Sequence, residues 1–144
     1  MIIYDIKSEK LKQKCEHCFN KIVEIFGENS LLLFAGFKED SKLDNVAAYF
    51  TNDGLGYPAG FVVIRSEFIE DCVIIHELAH AVENSLFRSN FEIKCKQIIE
   101  KLNENIYRDV DYKYSERLAD LIVENINNNK IEEIRKCLLE ATKD

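Results

Sequence analysis

The stretch "VIIHELAHAVE", residues 73–83, decides how the rest of the sequence is interpreted. An α-helix turns once in about 3.6 residues, so His76 and His80 project from one face and can bind the same tetrahedral metal ion. Glu77 is offset by about 100° around the helix axis. Its carboxylate can therefore take a proton from a metal-activated water without binding the metal itself. The pattern indicates a hydrolytic zinc site, and the alternative is an amphipathic helix that contains these residues by chance.

A zinc site of this kind needs a third protein ligand. Glu83 follows His80 by three residues, but it lies seven residues from His76, about 10 Å along a straight helix. Because metal–ligand bonds are only about 2 Å long, Glu83 is disfavoured as the ligand that joins both histidines. His17 lies on another predicted helix, and spacing alone leaves it open.

A better candidate lies downstream in "YSERLADLI", residues 114–122. Glu116 and Asp120 are four residues apart, so a helix projects both carboxylates towards one neighbouring element. One can bind the metal while the other accepts the free ring N–H of a histidine ligand. We expect Glu116 to complete the site and Asp120 to orient His76 or His80. The alternative is a solvated acidic face, which the apolar residues around the pair disfavour.

The composition is that of one globular domain. The chain has 144 residues, of which 47% are hydrophobic and 31% charged, so we expect a single domain over 1–144. The formal charge of -7, with scattered basic residues, argues against a nucleic-acid or anionic-membrane binder, because either needs a basic face. Nothing in the sequence indicates an oligomeric state.

The apolar and cysteine patterns indicate a cytoplasmic protein. No apolar run approaches the roughly 18 residues that span a bilayer, and the N-terminal one is too short for a secretory signal. Five cysteines, an odd number spread over predicted helices, favour reduced thiols. The pair in "CEHC", residues 15–18, resembles half of a zinc knuckle, but no second C-x-x-C exists, so packing is favoured. Cys72, one turn before His76, either approaches the metal or packs, and packing is again favoured.

Apolar periodicity predicts an α+β fold. It has an N-terminal helix, a small three-stranded, mainly antiparallel sheet, the helix that carries the two histidines, and a helical C-terminal half. Ser66 is the predicted N-cap of that central helix. The predicted helices are 8–26, 66–86, 91–106, 112–125 and 131–139, and the predicted strands lie within 30–37, 45–51 and 60–65.

The two motifs together resemble a known class of metallopeptidase. "HELAH", residues 76–80, followed by "ERLAD", residues 116–120, resembles the gluzincins, which have two histidines on one helix and a glutamate ligand on a later one. E-x-x-A-D followed by an apolar residue is similar to the ImmA/IrrE family, small cytoplasmic peptidases associated with phage and mobile elements. The resemblance covers roughly 30–125.

This resemblance implies a zincin-like fold and one zinc ion. It implies His76, His80 and Glu116 as the zinc ligands and Glu77 as base and acid. It also implies cleavage of a protein, often a regulator. The sequence departs from the family at Ala79, where glycine is common, and in the 35 residues from 81 to 115, a longer connection with an extra helix. The second departure leaves the subfamily and the substrate open. The absence of spans disfavours membrane-bound gluzincins that share E-x-x-A-D.

Other residues are candidates for assisting hydrolysis. Tyr112, Tyr114 and Arg117 lie beside the proposed ligand, and each can donate a hydrogen bond to an oxyanion, although tyrosines at such positions commonly pack. An extended substrate can add to a sheet edge supplied by "FVVIR", residues 61–65, or by a neighbouring strand. The glycines of "NDGLGYPAG", residues 52–60, form either a lip over the site or a plain turn.

Our leading hypothesis is a zinc-dependent endopeptidase that acts on a protein or peptide substrate. The alternative from another class is a non-catalytic module on the same fold, with structural zinc or none, that engages a phage or host regulator. A third hypothesis is metal-dependent hydrolysis of a non-peptide substrate.

Overall fold

Helices and strands both contribute to the fold, which is α+β as predicted. The structure, a computed structural model, describes residues 2–52, 60–87, 91–102, 113–128 and 130–141. Within these ranges lie four strands and five α-helices: β1 (Ile3–Asp5), α1 (Glu9–Phe26), β2 (Phe34–Glu39), β3 (Ala48–Thr51), β4 (Gly60–Ile64), α2 (Asp71–Leu86), α3 (Phe91–Lys101), α4 (Tyr114–Asn127) and α5 (Glu132–Ala141).

The sheet differs from the prediction of three mainly antiparallel strands, which was wrong in number and in direction. Its order is β1-β2-β4-β3, in which β1 pairs with β2 and β2 with β4 in parallel, and only β3 pairs antiparallel, with β4. Parallel strands need a long crossover connection, and α1 supplies it between β1 and β2. Because β1 has only three residues, it shows no alternation that sequence reading could detect.

The first helix forms where it was predicted. The Ser8 side chain accepts a hydrogen bond from the Leu11 backbone N–H and caps α1, which ends at Gly27 with φ 87°. Its inner stripe includes Cys15 and Cys18, both fully buried. Burial is the main reason that the pKa of each thiol is raised to about 12. Both cysteines therefore pack in the core as neutral thiols.

The central helix begins four residues later than predicted, with its N-cap at position 70 and not 66. The Ser66 hydroxyl accepts from the Phe68 backbone N–H at 3.2 Å, and the Ile69 N–H bonds to the Ser66 carbonyl at 3.3 Å. These bonds close a turn that buries Ile69, so Ser66 does not cap the helix. Glu70, with an extended backbone (φ -81°, ψ 148°), is the N-cap of α2 instead.

Helix α2 lies at the centre of the molecule and packs against α1, α4 and strand β3. Its buried face is apolar, and Leu78 and Ala79 have no exposed surface. The small side chain of Ala79 thus suits this packed position. None of the helices in the described ranges combines the length and apolar character that crossing a bilayer requires.

Candidate metal centre

Helices α2 and α4 place His76, His80 and Glu116 together. Glu116 Oε2 lies 3.2 Å from His76 Nε2, and Glu116 Oε1 lies 2.7 Å from His80 Nε2. One ligand atom of each residue lies within 4.8 Å of the other two, so the group can hold a metal ion. His17 is exposed on α1 and is not a member of the group.

The donor atoms are better arranged for binding a metal ion than for hydrogen bonding to one another. His80 Nε2 is buried and has no hydrogen-bond partner in the described part of the chain, despite its short distance to Glu116. The two imidazole rings stand at 85° to each other with centroids 4.8 Å apart, and each directs its Nε2 towards the carboxylate of Glu116. Two imidazole nitrogens and one carboxylate oxygen are donors that divalent transition metals accept.

Asp120 orients one of the two histidines. Its Oδ1 lies 3.1 Å from His76 Nδ1, so it accepts the ring N–H on the side remote from Glu116. This contact leaves His76 Nε2 for the metal position. The sequence left open which histidine Asp120 contacts. That contact depends on how α2 and α4 are shifted along one another, and residue spacing within one helix does not determine this shift.

Sequence reasoning gave Glu83 no role, but the structure places it against His80. The Glu83 side chain has no exposed surface, and its Oε1 lies 3.0 Å from His80 Nδ1. Burial, the largest influence, raises the pKa of Glu83 to about 7. Burial lowers the pKa of His80, but the hydrogen bond to Glu83 and the nearby carboxylates outweigh it and raise the value to about 9. The three-residue spacing of His80 and Glu83 on one helix is the sequence feature that could have predicted this contact.

Glu77 is a largely buried carboxylate beside the ligand group. Burial raises its pKa, and the charge of Glu116 adds to this rise. The two histidines and a hydrogen bond with the Phe50 backbone oppose it. A carboxylate with a raised pKa holds a proton more readily and suits acid–base work near neutral pH.

The Glu77 carboxylate can reach the Phe50 backbone because β3 is an edge strand of the sheet that the described residues form. Arg65 N–H bonds to the Ala47 carbonyl, and Phe50 is opposite Val62. Since hydrogen-bonded pairs alternate in an antiparallel ladder, Phe50 directs its backbone groups away from β4. The edge expected from "FVVIR" is therefore supplied by its neighbour, because β4 lies between β2 and β3.

A cavity of about 660 Å³ opens beside Glu77 and His80. Strand β3 forms one part of its wall and the start of α4 forms another. The residues that line these two parts are Tyr49, Phe50, Thr51, Lys113, Ser115 and Glu116.

Of the residues proposed to assist the oxyanion, Tyr114 and Arg117 do not line this cavity. The Tyr114 ring contacts the Lys96 ammonium, 5.7 Å from its centroid. Arg117 Nη1 lies 4.0 Å from Glu124 on the same helix. Tyr112 lies outside the described residues, as do residues 53–59 of the proposed lip. Cys72 hydrogen-bonds Glu70 at 3.5 Å and is not among the possible metal ligands.

Glu92 on α3 fixes the start of the helix that carries Glu116. Its two carboxylate oxygens accept the backbone N–H groups of Tyr114 at 2.9 Å and Ser115 at 3.3 Å. A carboxylate at this position satisfies unpaired N–H groups and complements the positive end of the helix dipole. Helix α3, in the connection between the two motifs, thus supplies a cap for α4.

We expect Glu92→Ala to lower the free energy of unfolding by about 1 kcal/mol, as loss of a helix cap does, and to weaken metal binding because Glu116 lies in the same first turn. Urea unfolding and a zinc titration measure the two effects. Glu100→Ala, an exposed residue of α3 whose ion pair with Lys96 spans 4.0 Å, is the control and should change neither. A Glu92→Ala protein with wild-type stability and affinity contradicts the capping role.

Compared with known proteins, the chain matches no family model, no curated protein and no solved structure. The interpretation of the site therefore depends on its own geometry. That geometry offers three converging donors, a neighbouring buried carboxylate and an adjacent cavity.

Proposed function

We propose that the protein is a zinc-dependent endopeptidase of the gluzincin type, similar to the ImmA/IrrE family, with a zincin-like fold. The convergence of His76, His80 and Glu116 beside Glu77 is the observation that carries the proposal. Two imidazoles and one carboxylate are a frequent ligand set of catalytic zinc, in which a fourth position stays open. When bound, the zinc ion supplies a Lewis acid that acidifies water and polarises a carbonyl oxygen.

Glu77 is the proposed general base and, later in the reaction, the general acid. Its carboxylate lies next to the ligand group but is not a member of it. It takes a proton from the attacking water and returns that proton to the leaving amine. Burial raises its pKa towards neutral pH, which improves the return of the proton. The hydrogen bond with the Phe50 backbone keeps the carboxylate against the cavity wall.

An extended protein segment is the proposed substrate. Strand β3 pairs only with β4 among the described strands, and it forms a wall of the cavity. A substrate backbone can add to this edge and so bring a peptide bond to the ligand group. The family resemblance leads us to propose a cytoplasmic, single-domain enzyme whose substrate is a regulatory protein, with no nucleic-acid partner.

A cleavage screen tests the function. We expect the zinc-loaded protein to cut members of a proteome-derived peptide library, to lose this activity in a chelator and to regain it when zinc is restored. Stoichiometric zinc with no cleavage of any peptide or of the proteins encoded near its gene contradicts the proposal and favours the non-catalytic binding module.

Zinc affinity should depend on pH in a defined direction. The pKa of His80 in the metal-free protein is raised to about 9, so His80 carries a proton below that pH. Zinc must displace this proton, and the apparent affinity should therefore rise about tenfold per pH unit from pH 7 to 9 and then level off. Chelator competition at three pH values measures it. An affinity that stays constant between pH 7 and 8 contradicts a protonated His80.

A further inference from the structure

Glu83 is a costly residue for a protein core. It has no exposed surface, and only one of its oxygens, Oε1, has a partner, His80 Nδ1 at 3.0 Å. The other oxygen, Oε2, is buried without a hydrogen bond to any described residue. A buried carboxylate with an unpaired oxygen lowers stability, and an apolar side chain of similar size usually packs better there. Packing alone therefore does not account for a glutamate at this position.

Among the described groups that most strongly influence the pKa of Glu83, only His80 favours its charged form. Glu92 of α3 and Glu116 of α4 both face it with negative charge, and burial acts in the same direction. Cys95 of α3 is nearby and, with its pKa also raised by burial, stays neutral. A carboxylate at this position is therefore stabilised by its contact with His80 and by none of these neighbours.

We propose that Glu83 is a positioning residue that fixes the ring of His80 for metal binding. It accepts the Nδ1 proton, which leaves Nε2, 2.7 Å from Glu116, as the nitrogen that faces the ion. Metal-bound histidines usually donate their second ring N–H to such an acceptor, and loss of the acceptor weakens metal binding 10–100-fold. The identity of the ion as zinc rests on the proposed function.

The two histidines are held in different ways. Asp120 reaches His76 from the opposite helix, at 3.1 Å, so that contact forms only when α4 is in place. Glu83 and His80 are three residues apart on α2, so the helix itself brings them together. We therefore expect the orientation of His80 to persist in the metal-free protein. Because Glu83 contacts Nδ1 and Glu116 contacts Nε2 of the same ring, Glu83 acts through His80 and is not a ligand.

The test compares Glu83→Leu and Glu83→Gln with Ser85→Ala. Ser85 is a matched control because it is a buried polar residue of α2 whose hydroxyl bonds the Leu33 N–H at 3.0 Å, away from the ligand group. We expect Glu83→Leu to weaken zinc binding by about 10–100-fold in chelator competition at pH 9 or above, where protonation of His80 competes little with zinc in either protein. Its metal-free melting temperature should equal or exceed that of the wild type. Ser85→Ala should lower the melting temperature and leave zinc affinity unchanged.

The isosteric Glu83→Gln variant tests the positioning role of Glu83 if the leucine variant does not fold. Its amide oxygen still accepts from Nδ1, so zinc affinity should fall less than in Glu83→Leu. Nitrogen NMR of the metal-free protein above pH 9, where the His80 imidazole is neutral, adds a readout independent of zinc: the single ring proton should lie on Nδ1 in the wild type and in the glutamine variant.

The outcomes separate this inference from the proposed function. Wild-type protein that binds no zinc overturns both. Wild-type protein that binds one zinc ion, with Glu83→Leu within about threefold of its affinity at that pH, overturns only the role of Glu83, as does a wild-type protein whose neutral His80 carries its proton on Nε2.

Discussion

Glu77→Gln should abolish peptide hydrolysis and leave zinc bound. Glutamine keeps the size of glutamate but has no basic oxygen that can take a proton from water. General acid–base catalysis contributes about 10²–10⁴-fold, and Glu77 supplies both the base and the acid, so we expect turnover to fall by about 10³-fold or more. The measurement is the cleavage rate on one substrate together with the zinc content of each protein.

Glu24→Gln is the matched control for this experiment. Glu24 is an exposed residue of α1, outside the cavity and the ligand group, so the same chemical change there should leave the rate unaltered. A Glu77→Gln protein that cleaves within about tenfold of the wild-type rate contradicts the assignment of Glu77 as the base.

His80→Ala should have the second large effect, on zinc affinity. The substitution removes a ligand and also leaves the carboxylates of Glu83 and Glu116 without their short contacts to the ring, at 3.0 and 2.7 Å. We expect a loss greater than the 10–100-fold that follows from losing an acceptor behind a ligand. His17→Ala, which removes the third and exposed histidine, is the control and should bind zinc as the wild type does. Equal affinity in the two variants contradicts the site.

Residues on one helix could be related to one another from the sequence alone. The shared face of His76 and His80, and that of Glu116 and Asp120, follow from the helical repeat, which is local. The structure brings the two faces together, as the sequence predicted. Which histidine Asp120 contacts depends on the offset between α2 and α4, and spacing carries no information about that offset.

Other features could not be predicted from the sequence motifs. Glu83 was assessed in the sequence only as a metal ligand, a role that its distance from His76 disfavours, and its contact with His80 Nδ1 was therefore missed. Glu92 reaches α4 from another helix, which no motif in the sequence indicates. Strand β1 depends on pairing with β2 across the whole of α1, and the Ser66 turn depends on burial of Ile69. These are long-range effects that local periodicity does not encode.

Diffraction at the zinc absorption edge from crystals of the wild-type protein locates the metal directly. We expect one zinc ion per chain, bound at about 2 Å to His76 Nε2, His80 Nε2 and a carboxylate oxygen of Glu116. Crystals grown with zinc that show no ion between α2 and α4, or show it on other residues, would contradict the proposed metal centre.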